Sequence, residues 1–447
     1  MQRDCDAVIV GAGPAGSVAA TLLARAGWRV ALIERQRFPR RKVCGECIAA
    51  SNLPLLAALG LGPAFEAAAG PELREVGLWR GERELLAPLP AAPHERYAWG
   101  RALGRETLDT LLLAQARAAG ATVWQPWAVQ ALRGRPGDWR CELREAESGS
   151  TLTLRAPVAI AAHGSWEALP SERPQRRQSR SAADLFAFKA NFSGASLPEG
   201  LLPVLALDGG YGGMVRAGGG IVTLACCIRS DRLDGLRRAT PGARAGDAVG
   251  AWLQRECGGV RRALHSATRD GPWLAAGPIA PGIRLGLESG GPFRIGNAAG
   301  EAHPILGEGI GMALQSAVML AATLLAAPGI GTAAGKGAAA DAVPGPARQA
   351  EIERAFAAEW RRQFAPRLRL AAAFAHVAMR PAPGALLMAL AGAWPGLLTQ
   401  GARWGGKLRC AADLAHLAPR AQPALPTTPA HTPPSAPAQS HRPGVPT

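Results

Sequence analysis

The sequence predicts an α/β protein carrying an inserted antiparallel sheet, and three patterns predict it. Residues 6–34 read strand, glycine turn, helix, strand. Between about 175 and 270 the chain alternates strand-like pieces with glycine turns, and residues 347–376 return to helical patterning. The first pattern is α/β grammar, the second is antiparallel-sheet grammar, and the third adds a helical end.

Taken in order, Ala7-Val8-Ile9-Val10 is a short apolar run suited to a strand buried on both faces. Residues 17–26 are rich in alanine and leucine, and Gly27 stands where a helix C-cap belongs. Trp28-Arg29-Val30-Ala31-Leu32-Ile33 is the returning strand, which completes a βαβ unit. Residues 101–120 turn helical, with Leu108, Leu111 and Leu112 on one face and Gly120 as the stop. Strand-like stretches follow at 122–132, 139–144 and 151–155. Pro157-Val158-Ala159-Ile160-Ala161-Ala162 is another buried parallel-type strand, ending at His163-Gly164-Ser165. The glycine turns Tyr211-Gly212-Gly213 and Gly218-Gly219-Gly220 punctuate the antiparallel part. A strand at Phe293-Arg294-Ile295 leads into Gly296 and an apolar helix over 309–326. That helix is roughly as long as a membrane crossing requires, but Gln315, Ser316 and the preceding glycine turn favour a buried core helix. Residues 328–346 read as a Gly/Ala/Pro linker, 347–376 as an amphipathic helix, and 382–400 as an apolar stretch broken by Pro395. From 419 onward proline, threonine, serine and alanine dominate, a composition expected to be disordered.

The expected organisation is therefore one discontinuous α/β domain from 1–70, 101–170 and 271–327. A second domain for substrate comes from 71–100 and 171–270, with helices over 347–418 and a tail over 419–447.

The chain has 447 residues, 48% hydrophobic and 19% charged, as in a globular enzyme. Its net charge of +16 comes almost wholly from arginine, since lysine occurs only at Lys42, Lys189, Lys336 and Lys407. The dense cluster at 173–180 lacks the interleaved aromatics that stack on bases, so no nucleic-acid partner is expected. It reads as a solvated loop, with an anionic membrane or cofactor-phosphate surface as the alternative. The eight cysteines are scattered apart from Cys44/Cys47 and Cys226/Cys227, and the start of the chain leaves no room for a signal peptide before the first strand. The expectation is a cytoplasmic protein with reduced thiols. No His/Cys/Asp/Glu grouping has metal-site spacing.

Gly11-Ala12-Gly13-Pro14-Ala15-Gly16 matches the dinucleotide fingerprint in its required setting, after a strand and opening a helix. Gly11 permits the tight turn, Gly13 lets backbone approach a diphosphate, and Gly16 allows helix–strand contact. The helix N-terminus offers N–H groups and partial positive charge to the phosphates. Glu34 ends the second strand, placed to accept bonds from ribose hydroxyls.

These residues, with Phe38-Pro39-Arg40-Arg41-Lys42-Val43-Cys44-Gly45-Glu46 and Gly296-Asn297-Ala298-Ala299-Gly300, resemble FAD-dependent oxidoreductases of the geranylgeranyl-reductase and aromatic-hydroxylase superfamily. The resemblance implies a Rossmann-type FAD-binding domain and FAD as cofactor. It places Arg105, followed by Leu108-Asp109, on the helix beside the FAD pyrophosphate. Pro304-Ile305-Leu306-Gly307-Glu308-Gly309-Ile310-Gly311 is similar to the loop against the isoalloxazine ring. A loop at a helix N-terminus can stabilise negative charge on the reduced ring. Two positions depart from the family pattern. Asn297 stands where an aspartate usually holds the ribityl chain, and an amide can still bond a hydroxyl. His163-Gly164-Ser165 lacks the usual acid before the glycine, which bears on the NAD(P)H contact.

Three reactions are consistent with this resemblance. A monooxygenase uses NADPH or NADH to reduce FAD and hydroxylates a lipophilic or polyketide-like aromatic; this is the lead. A geranylgeranyl-type ene-reductase delivers hydride to prenyl double bonds. A dithiol oxidoreductase would use Cys44 and Cys47, but a second dinucleotide fingerprint is missing. Cys44 resembles the cysteine facing the substrate side of the flavin, Glu46 is a candidate polar contact to substrate, and His303 is a candidate proton donor near the ring. Cys226/Cys227 read as sheet residues. Halogenases share part of the region, yet no Trp-x-Trp-x-Ile-Pro run is present, which sets that class aside. The apolar residues 386–398 fit a hydrophobic substrate or a peripheral membrane contact, with ordinary helix packing as the plainer reading.

Overall fold

The computed structural model describes residues 2–165, 181–285, 290–326 and 343–404. The cluster at 173–180, most of the 328–346 linker and the 419–447 tail lie outside the described residues.

Ala7–Val10 is buried at all four positions because it runs through the middle of a five-stranded parallel sheet. The order is Phe293–Arg294, Val158–Ala161, Ala7–Val10, Val30–Ile33, Thr122–Trp124, each pair parallel. Helices cover one face, where Val18 and Leu23 of the fingerprint helix Pro14–Arg25 pack with Leu112 and Leu314. The other face carries a four-stranded sheet whose Cys141, Leu143 and Leu154 pack on Val8, Val10 and Ile33. Burial on both faces explains why these strands read as unbroken apolar runs rather than alternations.

Helix Gly309–Leu325 is a core helix, with all but four of its seventeen residues buried. The polar residues that interrupt it have partners. Gln315 Nε2 donates to Asn52 Oδ1 at 2.7 Å, and Ser316 Oγ accepts the Gly296 N–H at 2.9 Å.

The second unit is a seven-stranded sheet in the order Thr268–Ile279, Leu185–Ser193, Val222–Arg229, Gly210–Arg216, Leu201–Leu207, Glu75–Arg80, Arg83–Pro88. Residues from either side of the α/β segment 101–165 thus join one sheet. Strand Thr268–Ile279 carries the sheet past the expected boundary at 271. Gly271 and Pro272 fall where the pairing with the neighbouring strand shifts register between Lys189 and Asn191. Helices cover one sheet face through Trp252, Val249 and Leu253, which pack on Leu205, Leu224 and Ile228. The opposite face, with Ala187, Tyr211 and Cys227, meets Val43 and Ile305 of the α/β unit.

The chain then forms helices Pro346–Ala378, Pro381–Ala393 and Gly396–Trp404. Trp360 of the first lies so close over Gly300 that a Cβ there would sit 2.5 Å from the indole. The second and third lie along the hairpin 75–88: Arg80 Nη2 donates to Pro381 O at 3.2 Å and Thr399 Oγ1 to Pro88 O at 2.8 Å. The break at Pro395 falls between these two helices, as the sequence predicts.

Candidate active site

A cavity of about 530 Å3 lies where the two sheets face each other. Its walls join the fingerprint loop, the segment after Glu34, the second glycine turn and the inner face of the seven-stranded sheet. Every sequence-predicted residue except Gly16 and His303 lines it.

Two fingerprint glycines are required by the protein's own packing. Gly11 has φ +102°, and a Cβ there would lie 2.5 Å from Ala162 O; one on Gly16 would lie 1.8 Å from Gly11 O. Gly13 differs, since the nearest atom to its Cβ would be Arg105 Nη2 at 3.9 Å. Nothing in the chain demands glycine there, so the open approach at Gly13 serves something that must come close to backbone at a helix N-terminus, as a diphosphate does. Glu34 is buried at the next strand end, accepting from Ala12 N at 3.1 Å and Gln36 N at 3.0 Å.

Basic groups surround this loop. The Arg105 guanidinium is bidentate to Asp109 at 2.7 and 2.8 Å. Burial works against its charge, but Asp109 and the adjacent Cys44 offset that and hold its pKa above the ordinary value. Arg40 lies over the Phe38 ring, 3.5 Å from Glu34 and 3.6 Å from Asp109, with only 9% of its side chain exposed. Its Nε and Nη1 are buried without a hydrogen-bond partner. A guanidinium normally does not leave buried donors unmet, and an anionic diphosphate satisfies them. These orphaned donors and the open face of Gly13 are the two observations that fit FAD to the site. Sequence reasoning quoted the Arg40 segment but passed over Arg40. Its signal is position: a cation six residues after the acid that ends the second strand.

Glu46 is buried and is the one non-glycine residue with positive φ (+61°) among the described residues. Its Oε1 accepts from Arg105 N at 2.9 Å and from Lys189 Nζ, and Oε2 accepts from Thr223 Oγ1 at 2.6 Å. Lys189 and Glu46 side chains are each 1% exposed. The carboxylate expected to touch substrate is thus tied at both oxygens, joining the dinucleotide unit to two strands of the seven-stranded sheet. The two cysteines of the CxxC diverge. Cys44 Sγ accepts from Glu46 N at 3.4 Å beside Arg105, while Cys47 belongs to strand Cys47–Ile48 and packs by Leu73 and Val215. The two thiols are not joined to each other.

The second glycine turn completes the wall. Gly296 has φ +58°, and a Cβ there would be 2.9 Å from that of Ala15. Asn297 Nδ2 donates to Ser165 Oγ at 2.7 Å, tying the second glycine turn to the segment that begins at His163. Pro304, Gly307, Gly309 and Ile310 line the cavity ahead of helix Gly309–Leu325.

His303 stands behind the cavity and Tyr211 in front of it, their Oη and Nδ1 2.8 Å apart. Burial lowers the His303 pKa from 6.5 to about 4. At neutral pH the imidazole is uncharged and does not act as an imidazolium acid. Burial, then Cys227, raises the Tyr211 hydroxyl well above 10. The Cys227 thiol is likewise pushed up by burial to about 12. Cys226 and Cys227 are sheet residues, as read from sequence, and they also line the cavity. Tyr211 carried no sequence signal, because a strand tyrosine beside glycines looks like sheet packing.

Comparison with known proteins agrees with this geometry. The pattern of the FAD binding domain family matches residues 4–234. The chain is 26% identical over 342 residues to a tryptophan 2-halogenase from Chondromyces crocatus, covering 71% of this chain and 60% of that one. It is 38% identical over 120 residues to a menaquinone reductase from Mycobacterium tuberculosis, covering 26% and 28%. It thus spans less than two thirds of the length of these relatives. Among solved structures, the myxobacterial chondrochloren halogenase superposes with a TM-score of 0.68 at 20% identity, covering 93% of this chain and 97% of that one. A geranylgeranyl bacteriochlorophyll reductase-like protein from Thermoplasma acidophilum superposes at 0.62 and 17%, covering 90% and 100%. The expectation that set halogenases aside rested on one missing run, and these likenesses return that class to consideration.

Proposed function

Because the chain belongs to the FAD binding domain family, we propose that it is an FAD-dependent monooxygenase that uses NADPH or NADH and acts on a lipophilic aromatic substrate. The observation that carries this reading is a single cavity with two chemistries. One end is fingerprint backbone, Arg40 and Arg105, suited to a diphosphate. The other is Phe188, Leu202, Met214 and Ile305, suited to an apolar molecule. FAD bound there supplies the redox chemistry. The chain's own groups bind and orient it. The backbone N–H groups of Gly13 and Ala15 and the two guanidinia would hold the diphosphate, Glu34 would take the ribose hydroxyls, and Asn297 would bond the ribityl chain. Residues 304–310 present the N-terminus of an apolar helix to the ring edge. Cys44 and Tyr211 line the substrate side, Glu46 positions Arg105, and His303 orients the Tyr211 hydroxyl through their hydrogen bond. Phe188, Leu202, Met214 and Ile305 would keep water from the reacting atoms at the apolar end.

Reduction of an isolated double bond is the second reading, favoured by the likeness to the menaquinone and geranylgeranyl-type reductases. One experiment separates the chemistries. The FAD-loaded protein is given NADPH, or chemically reduced FAD, with a panel of lipophilic aromatics in buffer containing bromide under isotopically labelled oxygen. Product that gains one labelled oxygen is the expected outcome. Product that gains bromine, or turnover that continues without oxygen, overturns the proposal.

A further inference from the structure

We propose that the three C-terminal helices form a docking surface for an anionic phospholipid bilayer, from which the lipophilic substrate enters. The substrate half of this statement rests on the reading above; the docking half does not.

The described chain concentrates large exposed apolar side chains on these helices. Leu370, Phe374 and Val377 are 52%, 46% and 41% exposed, and their spacing of four and three sets them on one stripe of Pro346–Ala378. Leu386, Trp394 and Leu397 are 60%, 63% and 49% exposed on and beside the next two helices. Outside this unit, Leu86 is the only comparable residue among those described, and it lies on the hairpin that the second and third helices cover. Helix Pro381–Ala393 is apolar on all sides yet buries only Gly384, Met388 and Ala391. A soluble helix turns one stripe to the core and polar residues to water; this one turns apolar groups to both.

Charge selects the occupant. From 360 to 404 the sequence holds six arginines (Arg361, Arg362, Arg367, Arg369, Arg380 and Arg403) and no aspartate or glutamate; of the six, Arg362 pairs with Glu359 just outside the stretch. A second copy of the chain would bring the same acid-free, arginine-rich face against itself, which like-charge repulsion disfavours. Nucleic acid would satisfy the arginines but not the leucines and valine. An anionic bilayer satisfies both, taking leucine, phenylalanine and tryptophan into the headgroup–acyl boundary while guanidinia meet phosphates. Among the described residues no single helix is long and apolar enough to span; the first two are long and apolar enough only when taken together, and they meet at a bend of 107°, which suits lying along a surface.

The docking unit also sits at a way in. A second cavity, of about 30 Å3, lies beneath the third helix between Ala402, Trp99 and Leu89, and Cys47 and Leu202 line both it and the large chamber. An apolar substrate leaving the bilayer beside Gly396–Trp404 therefore meets a cavity that shares Cys47 and Leu202 with the wall of the large chamber.

The test uses the full chain loaded with FAD and followed by flavin absorbance in sedimentation with vesicles, either pure phosphatidylcholine or about one third phosphatidylglycerol. The expected result is co-sedimentation with the anionic vesicles and at least about tenfold weaker binding to the neutral ones. Replacing Leu386, Trp394 and Leu397 together by serine abolishes binding. Arg369→Gln with Arg380→Gln weakens it about 30-fold, roughly fivefold for each charge removed. Unchanged thermal midpoints and FAD content show that the variants fold. The proposal fails if the FAD-loaded wild type stays in the supernatant with both vesicle types, or if the serine variant binds as well as wild type. It also fails if the wild type is instead a dimer that the serine variant dissolves. A protein that takes up no FAD would refute the functional reading above and leave the vesicle result to be judged by protein absorbance alone.

Discussion

Substituting Glu46 by glutamine isolates the energetics of the joint between the two units. The side chain stays nearly isosteric and the +61° backbone is unchanged, so the perturbation is the charge. What remains is a Lys189 ammonium 1% exposed with its counter-ion removed. Breaking a buried pair from one side costs about 3–5 kcal/mol. The amide oxygen still accepts from Thr223 or Arg105 N, so the lower end, about 3 kcal/mol, is expected. Lys189→Met removes the other partner and leaves Glu46 with two donors, at about 2 kcal/mol. The double variant replaces the pair by uncharged groups of similar size and should cost no more than about 2 kcal/mol, giving a coupling of about 3 kcal/mol. The assay is guanidinium unfolding monitored by tryptophan fluorescence, with Trp252 and Trp79 buried in the affected unit. If the double variant loses the sum of the two single losses, the pair is not coupled and the inter-sheet role assigned to Glu46 is wrong. FAD affinity should fall in the Glu46 variant as well, because Arg105 N loses a charged acceptor.

Two further outcomes can be checked directly. Arg40→Met should weaken FAD binding by about 10- to 100-fold, measured by quenching of flavin fluorescence, because a charged hydrogen bond contributes about 1.5–3 kcal/mol; unchanged affinity would remove Arg40 from the diphosphate site. His303 makes stability depend on pH. Its ring takes up a proton near 6.5 when unfolded and only near 4 when folded, so the unfolded state binds more protons between those values. Stability is complete above about pH 6.5 and falls by up to about 3 kcal/mol as the pH drops towards 4. His303→Gln should flatten that part of the profile in urea titrations, and an identical slope in both proteins would contradict the assignment.

How much of this could be read beforehand depended on whether a residue's partners are near it in sequence. The βαβ unit was legible because Gly11, Gly13, Gly16 and Glu34 answer to local geometry and one strand crossing. The buried nature of 309–326 was legible because Gln315 and Ser316 needed partners inside the protein, and Asn52 and Gly296 supply them. Glu46 was noticed, but its meaning was not. A carboxylate in a loop looks solvated until Lys189 and Thr223, far along the chain, are brought to it. Tyr211 behaves the same way, acquiring significance only from His303.

The floor of the cofactor site comes from the ends of three strands that are adjacent in space and far apart in order: Val10, Ala161 and Arg294. Gly11 leans on Ala162, and Ala15 leans on Gly296. A nascent chain therefore cannot close this floor after translating its first domain-sized length, however complete its fingerprint looks. At about 5–20 residues per second, the ribosome spends many seconds between making Gly11 and making Gly296. Throughout that interval the apolar strands have a gap where their last neighbour belongs, and that unfilled edge is where chaperone capture or premature aggregation would act on this protein.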